Sequence, residues 1–385
     1  MKQVINIVVD VETLSLESDA AIISIAAVPF NPMVDELNIF NVFQVFPQGA
    51  IKEIEEFYEV VNATSCALHG MRIDMDTVSW WSKQGEMAKA ELLSRQPLNI
   101  GAAMNAFHNY LEGMKKAYDA DIVMWSQGSD FDFPIIANAY NKVLKGTRLP
   151  WNYYDKRDAR SIVLDGIEKV YGRLEKPYSV VPPCDCVVEE LNSFDVFQVR
   201  PEGDAEPLSE FYEVVNATSC ALHGMRIDMD TVSWWSKQGE MAKAELLSRQ
   251  PLNIGAAMNA FHNYLEGMKK AYDADIVMWS QGSDFDFPII ANAYNKVLKG
   301  SRLPWDYRDK RDARSIVLDG IEKVYGRLEK PYSVVPPCDC VVEEMKHSAL
   351  YDARRTAWSV AFVNNMICRS ISEAHTSAIT PKSSE

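Results

Sequence analysis

The chain repeats itself, and the repeat limits what it can fold into. Residues 56–190 return as residues 210–344 with three differences, Thr147/Ser301, Asn152/Asp306 and Tyr154/Arg308. Upstream the register continues more loosely, with Glu36-Leu37-Asn38 set against Glu190-Leu191-Asn192. A solenoid would show several short units, whereas one long unit present twice indicates a tandem duplication. Without one copy the 385-residue chain shrinks to the size of a single domain. Whatever precedes the first copy or follows the second exists once, so two near-identical units compete for it.

The leading segment carries the first chemical signal. Val8-Val9-Asp10-Val11-Glu12-Thr13 is an apolar strand in which alternation places Asp10 and Glu12 on one face. Two anions held that close need a proton or a cation between them. Residues 3–10, 21–28 and 38–46 are β-rich runs with short connections, which predicts an antiparallel meander.

Within each unit, helices are expected over 76–93 and 99–118, and again over 230–247 and 253–272. In the helix over 99–118, Ala103, Phe107, Tyr110, Leu111 and Met114 recur at helical spacing as a packing stripe. The apolar strand 121–128 then runs into Ser129-Asp130-Phe131-Asp132-Phe133-Pro134, a strand-to-helix junction marked by capping residues and an early proline. Asp130 suits the N-cap, and Asp132 lies just inside the helix, pointing back to the strand end. Asp286 is its counterpart in the second unit.

Three further features invite functional readings. Trp81, beside Trp80, could stack on bases, although adjacent tryptophans commonly place one in the core. Lys156, Arg157 and Arg160 could hold a phosphate backbone or form a solvated charged face. The Cys184-Asp185-Cys186 stretch lacks the usual spacing of a structural zinc site.

After the second unit, His347-Ser348-Ala349-Leu350-Tyr351-Asp352-Ala353 occurs once and leads into a helix. Five residues turn a helix by about 140°, so His347 belongs on the approach and Asp352 in the first turn. Four carboxylates suit two Mg²⁺ or Mn²⁺ ions, which stabilise both the attacking and the leaving oxygen in phosphodiester hydrolysis. A histidine beside them can take the proton from the attacking water.

Composition agrees with this chemistry without demanding it. A formal net charge of −15 argues against a surface that grips nucleic acid through basic residues throughout, while bound cations supply positive charge locally. An odd count of seven cysteines and a start without a signal-peptide pattern suggest a reduced, cytoplasmic protein. No apolar run is long enough to span a membrane.

The ordered set resembles the DEDDh 3′ to 5′ exonucleases of the ribonuclease H-like superfamily, and most closely the phage exonuclease A and exoribonuclease-like group. Asp10-Val11-Glu12-Thr13 looks like the first motif, Phe131-Asp132 or Phe285-Asp286 the second, and His347 with Asp352-Ala353 the third. The resemblance implies an α/β fold, a mixed five-stranded sheet flanked by helices, with a partial duplicated unit inserted. It implies two metal ions held by Asp10, Glu12, Asp132 (or Asp286) and Asp352, with His347 as general base. The substrate would be the 3′ end of single-stranded DNA or RNA.

The duplication supplies two second motifs but one first and one third. One arrangement folds residues 1–190 together, completes them with the helix of 345–370, and leaves 191–344 as a partial unit and 371–385 as a disordered tail. The other joins the first strands to the second unit through Asp286. The first arrangement closes shorter loops. Exchange of strands between two chains is a third arrangement. The rival to an enzyme is a nucleic-acid-binding or interaction protein in which the duplication breaks the active site.

Overall fold

The computed structural model describes residues 3–30, 56–85, 89–90, 92–171, 210–336 and 349–379. It divides into two compact units, residues 1–197 and 198–385.

The first unit is built on a mixed five-stranded sheet. β1 (Gln3–Thr13), β2 (Ile22–Phe30), β3 (Phe57–Val60), β4 (Ala120–Ser126) and β5 (Lys156–Asp158) lie in the order β3-β2-β1-β4-β5. β1 runs antiparallel to β2 and parallel to β4, β2 is antiparallel to β3, and β4 is parallel to β5. This is the expected α/β class, a five-stranded sheet flanked by helices. The expected third strand, 38–46, lies outside the described residues, and the third strand of this sheet is Phe57–Val60.

Alternation in β1 sorts its side chains. Ile5, Ile7, Val9 and Val11 are buried in the core, each contributing about 1.5–3 kcal/mol. Asp10 and Glu12 are exposed on the other side. The register pairs Asp10 with Ala26 and Glu12 with Ser24, small neighbours that leave the carboxylates uncrowded.

Among the described residues, this unit has the helices α1 (Ala63–Leu68), α2 (Met75–Ser82), α3 (Ile100–Tyr118), α4 (Asp132–Val143) and α5 (Ala159–Tyr171). In α3, the Asn99 side chain caps the start by accepting from the Ala102 amide at 2.9 Å. Of the expected stripe, Ala103, Phe107, Leu111 and Met114 are buried and Tyr110 is partly buried, and Met104 is buried beside them, close to what helical periodicity predicts. The helix stops at Asp119, whose φ of 46° is left-handed and cannot continue it. α3 then leads directly into β4, which delivers the next functional residues to the same sheet end as Asp10.

Among the described residues, the second unit repeats the helices and has no counterpart of β1 or β2. It contains α6 (Ala217–Leu222), α7 (Met229–Ser236), α8 (Glu240–Leu246), α9 (Ile254–Tyr272), β6 (Met278–Ser280), α10 (Ser283–Val297), β7 (Lys310–Asp312), α11 (Ala313–Tyr325) and α12 (Ala349–Ile379). Its described sheet is the parallel pair β6-β7.

α12 packs on α11. A Cβ placed on Gly320 would lie 2.3 Å from Val363 Cγ1, so the two helices meet at a glycine. Val317, Ile321, Val335 and Val363 form the buried cluster there. This differs from the expectation that the terminal helix would complete residues 1–190: its apolar face is spent inside the second unit. Residues 371–379, expected to be disordered, continue this helix. Among the described residues, no helix is long and apolar enough to cross a membrane.

Candidate active site

β1 and β4 run parallel and pair as far as Val8 with Trp125, so Asp10 and Glu12 stand just past the last paired residue, beside the end of β4. Asp132 opens α4 immediately after that strand. It is 3 % exposed. The Ser126 hydroxyl donates to its Oδ2 at 2.7 Å and the Val11 backbone N–H to its Oδ1 at 3.1 Å. One carboxyl group therefore ties the ends of β4 and β1 together.

That carboxyl is electrostatically frustrated. Burial, and then the charge of Asp10, push its pKa up to about 7, against the lowering effect of the Ser126 and Val11 hydrogen bonds. A buried carboxyl facing a second carboxylate gains from a proton or a cation. Asp130, read from sequence as the N-cap, does something else. The cap position is Phe131, with no side-chain cap bond, and Asp130 pairs with Arg160 at 2.5 Å.

The basic residues are largely internal. Arg157 is 1 % exposed, and its Nη1 donates to the carbonyls of Tyr154 (2.8 Å) and Lys156 (3.1 Å). Arg160 lies between Asp130 and the fully buried Asp158, 3.5 Å away. Asp158 also accepts from the Ser161 amide at 3.1 Å. Gly128, at φ +122°, gives this guanidinium room: a Cβ there would be 3.2 Å from Arg160 Nη1. Placing Arg157 and Arg160 against a phosphate backbone is therefore corrected. Both are structural cations, buried because their partners are buried. Lys156 is partly exposed, with its ammonium 5.0 Å from the ring centre of Tyr153.

Trp81 is tied to the carboxylate strand. Its Nε1 donates to the carbonyl of Thr13, next to Glu12, at 2.9 Å. Trp80 packs edge-on against it with ring centres 5.2 Å apart and is 54 % exposed. The Ser15 hydroxyl donates to Asp74 at 2.6 Å, which holds the start of α2 to the same segment.

In the second unit, the Ser280 hydroxyl donates to Asp286 at 2.5 Å. Burial raises the pKa of Asp286, and the neighbouring Asp284 and Asp312 add to the rise. Asp352 sits exposed in the first turn of α12. The helix is held by Arg354, whose Nε and Nη2 reach the two oxygens of Glu210 at 2.8 and 2.5 Å, and by Thr356, which donates to Gln281 at 2.9 Å. His347 lies outside the described residues.

The structure thus brings together Asp10, Glu12, Asp132 and Trp81 in the first unit and keeps Asp286 and Asp352 in the second. Among the described residues, no three acidic, histidine or cysteine side chains are gathered as a metal cage. The donors themselves are all-oxygen and anionic, and they fit a hard divalent cation. Ser126 and the Val11 amide were not read from the sequence. The signal for Ser126 is a small polar residue closing an apolar strand, and the amide has none.

A family model described as a 3′-5′ exoribonuclease Rv2179c-like domain matches residues 5–177 and again residues 197–364. The chain belongs to the Rv2179c-like 3′-5′ exoribonuclease family. Two matches to one family also mark the internal duplication as two copies of this domain. No curated protein matches the chain.

Proposed function

We propose that the protein is a divalent-metal-dependent exonuclease that removes nucleotides from the 3′ end of single-stranded RNA, with its catalytic centre in the first unit. The observation that carries this reading is the Asp132 carboxyl, buried beside Asp10 and hydrogen-bonded to the amide of Val11. Membership of an exoribonuclease family favours RNA over DNA.

Asp10, Glu12 and Asp132 would hold two Mg²⁺ or Mn²⁺ ions. Bound there, the metal supplies charge for the attacking and leaving oxygens. Ser126 and the Val11 amide fix the Asp132 carboxyl so that its oxygens do not swing away. His347 takes the proton from the attacking water as general base. Trp81, anchored on Thr13, offers its ring as a platform for a terminal base.

The test is shortening of a 5′-labelled RNA oligonucleotide in Mg²⁺ or Mn²⁺. Asp10→Ala is expected to lower the rate about a hundredfold or more. No shortening by the unaltered chain with either ion would sink the proposal. The packing of α12 on α11 favours one other reading, a nucleic-acid-binding protein in which the duplication breaks the active site. That protein would retain the oligonucleotide without shortening it.

A further inference from the structure

α5 and α11 have the same thirteen residues in different surroundings. On α11, Val317 is 1 % exposed and Gly320 is buried under α12. On α5, Val163 is half-buried and Gly166 is exposed, and a Cβ on Gly166 would meet nothing within 4 Å. The first unit thus repeats, on an open face of α5, the part of the seat that α11 provides.

The polar partners of that seat are duplicated too. α12 is held by Glu210 and Gln281, and their counterparts Glu56 and Gln127 are exposed. Gln127 directly follows Ser126 at the end of β4. A helix seated there in the same register would place Thr356 at Gln127. Asp352, four residues earlier on the same helical face, would then stand at the strand ends that carry Asp10 and Glu12.

We propose that this face of α5 is the docking site for the terminal helix of a second copy of the chain, which supplies Asp352 to the first unit's carboxylates. The proposal rests on the catalytic reading above. Such an exchange trades the contacts of α12 with Val317, Gly320 and Ile321 on α11 for contacts with the same residue types, Val163, Gly166 and Ile167, on α5. Exchanging β1 and β2 instead would strip Ile5, Ile7, Ile22 and Ile25, all fully buried, out of a formed core. A second copy is favoured as the source because the second unit exposes Trp279 (37 %), Phe285 (62 %) and Ile289 (53 %). An apolar patch of this kind marks an association surface, and a two-fold pair with reciprocal helices closes on itself.

The experiment mixes two full-length variants, Asp10→Ala and Asp352→Ala, each expected to be inactive alone, by co-expression. A two-fold pair formed at random restores about a quarter of the unaltered rate, because half the pairs are mixed and each carries one intact site. A silent mixture beside an active unaltered chain overturns the docking proposal and leaves the catalytic one standing, whereas an inactive unaltered chain sinks the catalytic one. Sedimentation supplies a readout independent of activity. The unaltered chain should run as a pair and Gly166→Glu as a single chain with unchanged far-UV circular dichroism. An unaltered chain that sediments singly also overturns the docking proposal.

Discussion

The two units contain nearly the same residues and do not make the same structure. Ile135 is fully buried, while Ile289, the same residue in the second copy, is 53 % exposed. Trp125 is 7 % exposed and its counterpart Trp279 37 %. Asp74 accepts from Ser15, whereas Asp228 turns back to cap its own helix through the amides of Asp230 and Thr231. Asp132 is bound by Val11, and Asp286 keeps its Ser280 bond in a unit without β1. These differences go with residues 3–30, which include β1, β2 and their connection and occur once in the chain. A sequence that specifies helices locally still needs those strands to complete a core and to hold its carboxyl group in place.

The sharpest way to break this comparison is to remove the paired aspartates. Asp132→Ala should reduce exonuclease activity about a hundredfold or more, while Asp286→Ala should leave it close to that of the unaltered chain. The measurement is the rate of 3′ shortening in Mg²⁺, and equal losses would mean that both units contribute to chemistry.

Core packing provides the next contrast. Ile135→Ala should destabilise the first unit by about 2–5 kcal/mol, whereas Ile289→Ala should change stability by no more than about 0.5 kcal/mol. Urea unfolding read by tryptophan fluorescence would show it, and similar shifts would indicate that the second unit is covered in solution.

A smaller effect separates the units by pH. Because the folded-state pKa of Asp132 is raised from 3.8 to about 7, the folded chain binds this proton more tightly than the unfolded chain. Its contribution to stability is full below pH 4 and lost as pH rises towards 7. In EDTA, melting temperature should therefore fall from pH 5 to pH 8, and Asp132→Asn should flatten that slope. Parallel slopes for the two proteins would contradict the burial of this carboxyl. Mg²⁺ should restore stability at pH 8 by binding the ionised form.

The smallest contrast is chemical. Cys66 is buried, hydrogen-bonded to the Ile22 carbonyl at 3.3 Å, and its thiol is pushed up to about 11. Cys220 is partly exposed. Cys220 should react with a thiol reagent before Cys66, as peptide mapping after brief labelling would reveal; the reverse order would mean that β2 does not cover Cys66.

Much of the fold was legible because it is local. The alternation of β1, most of the packing stripe of α3 and the place of the strand-to-helix junction before α4 are short-range patterns that appear in the structure, although the cap there is not Asp130. The third strand was not, since Phe57–Val60 is a four-residue edge with too few positions to display a period. The burial of Arg157 and Arg160 was equally hidden. A run of basic residues looks the same whether its partners are phosphates or the carboxylate of Asp158.

By itself the sequence determined the repeat, the class of fold and the two carboxylates on one strand face. The tertiary structure decided which copy β1 and β2 join and which copy holds the terminal helix. Identical residues offer identical local preferences, so local preference cannot choose between two copies. The choice falls to long-range contacts, the Val11 amide on Asp132 and Val363 against Gly320, which exist only once the chain has closed on itself.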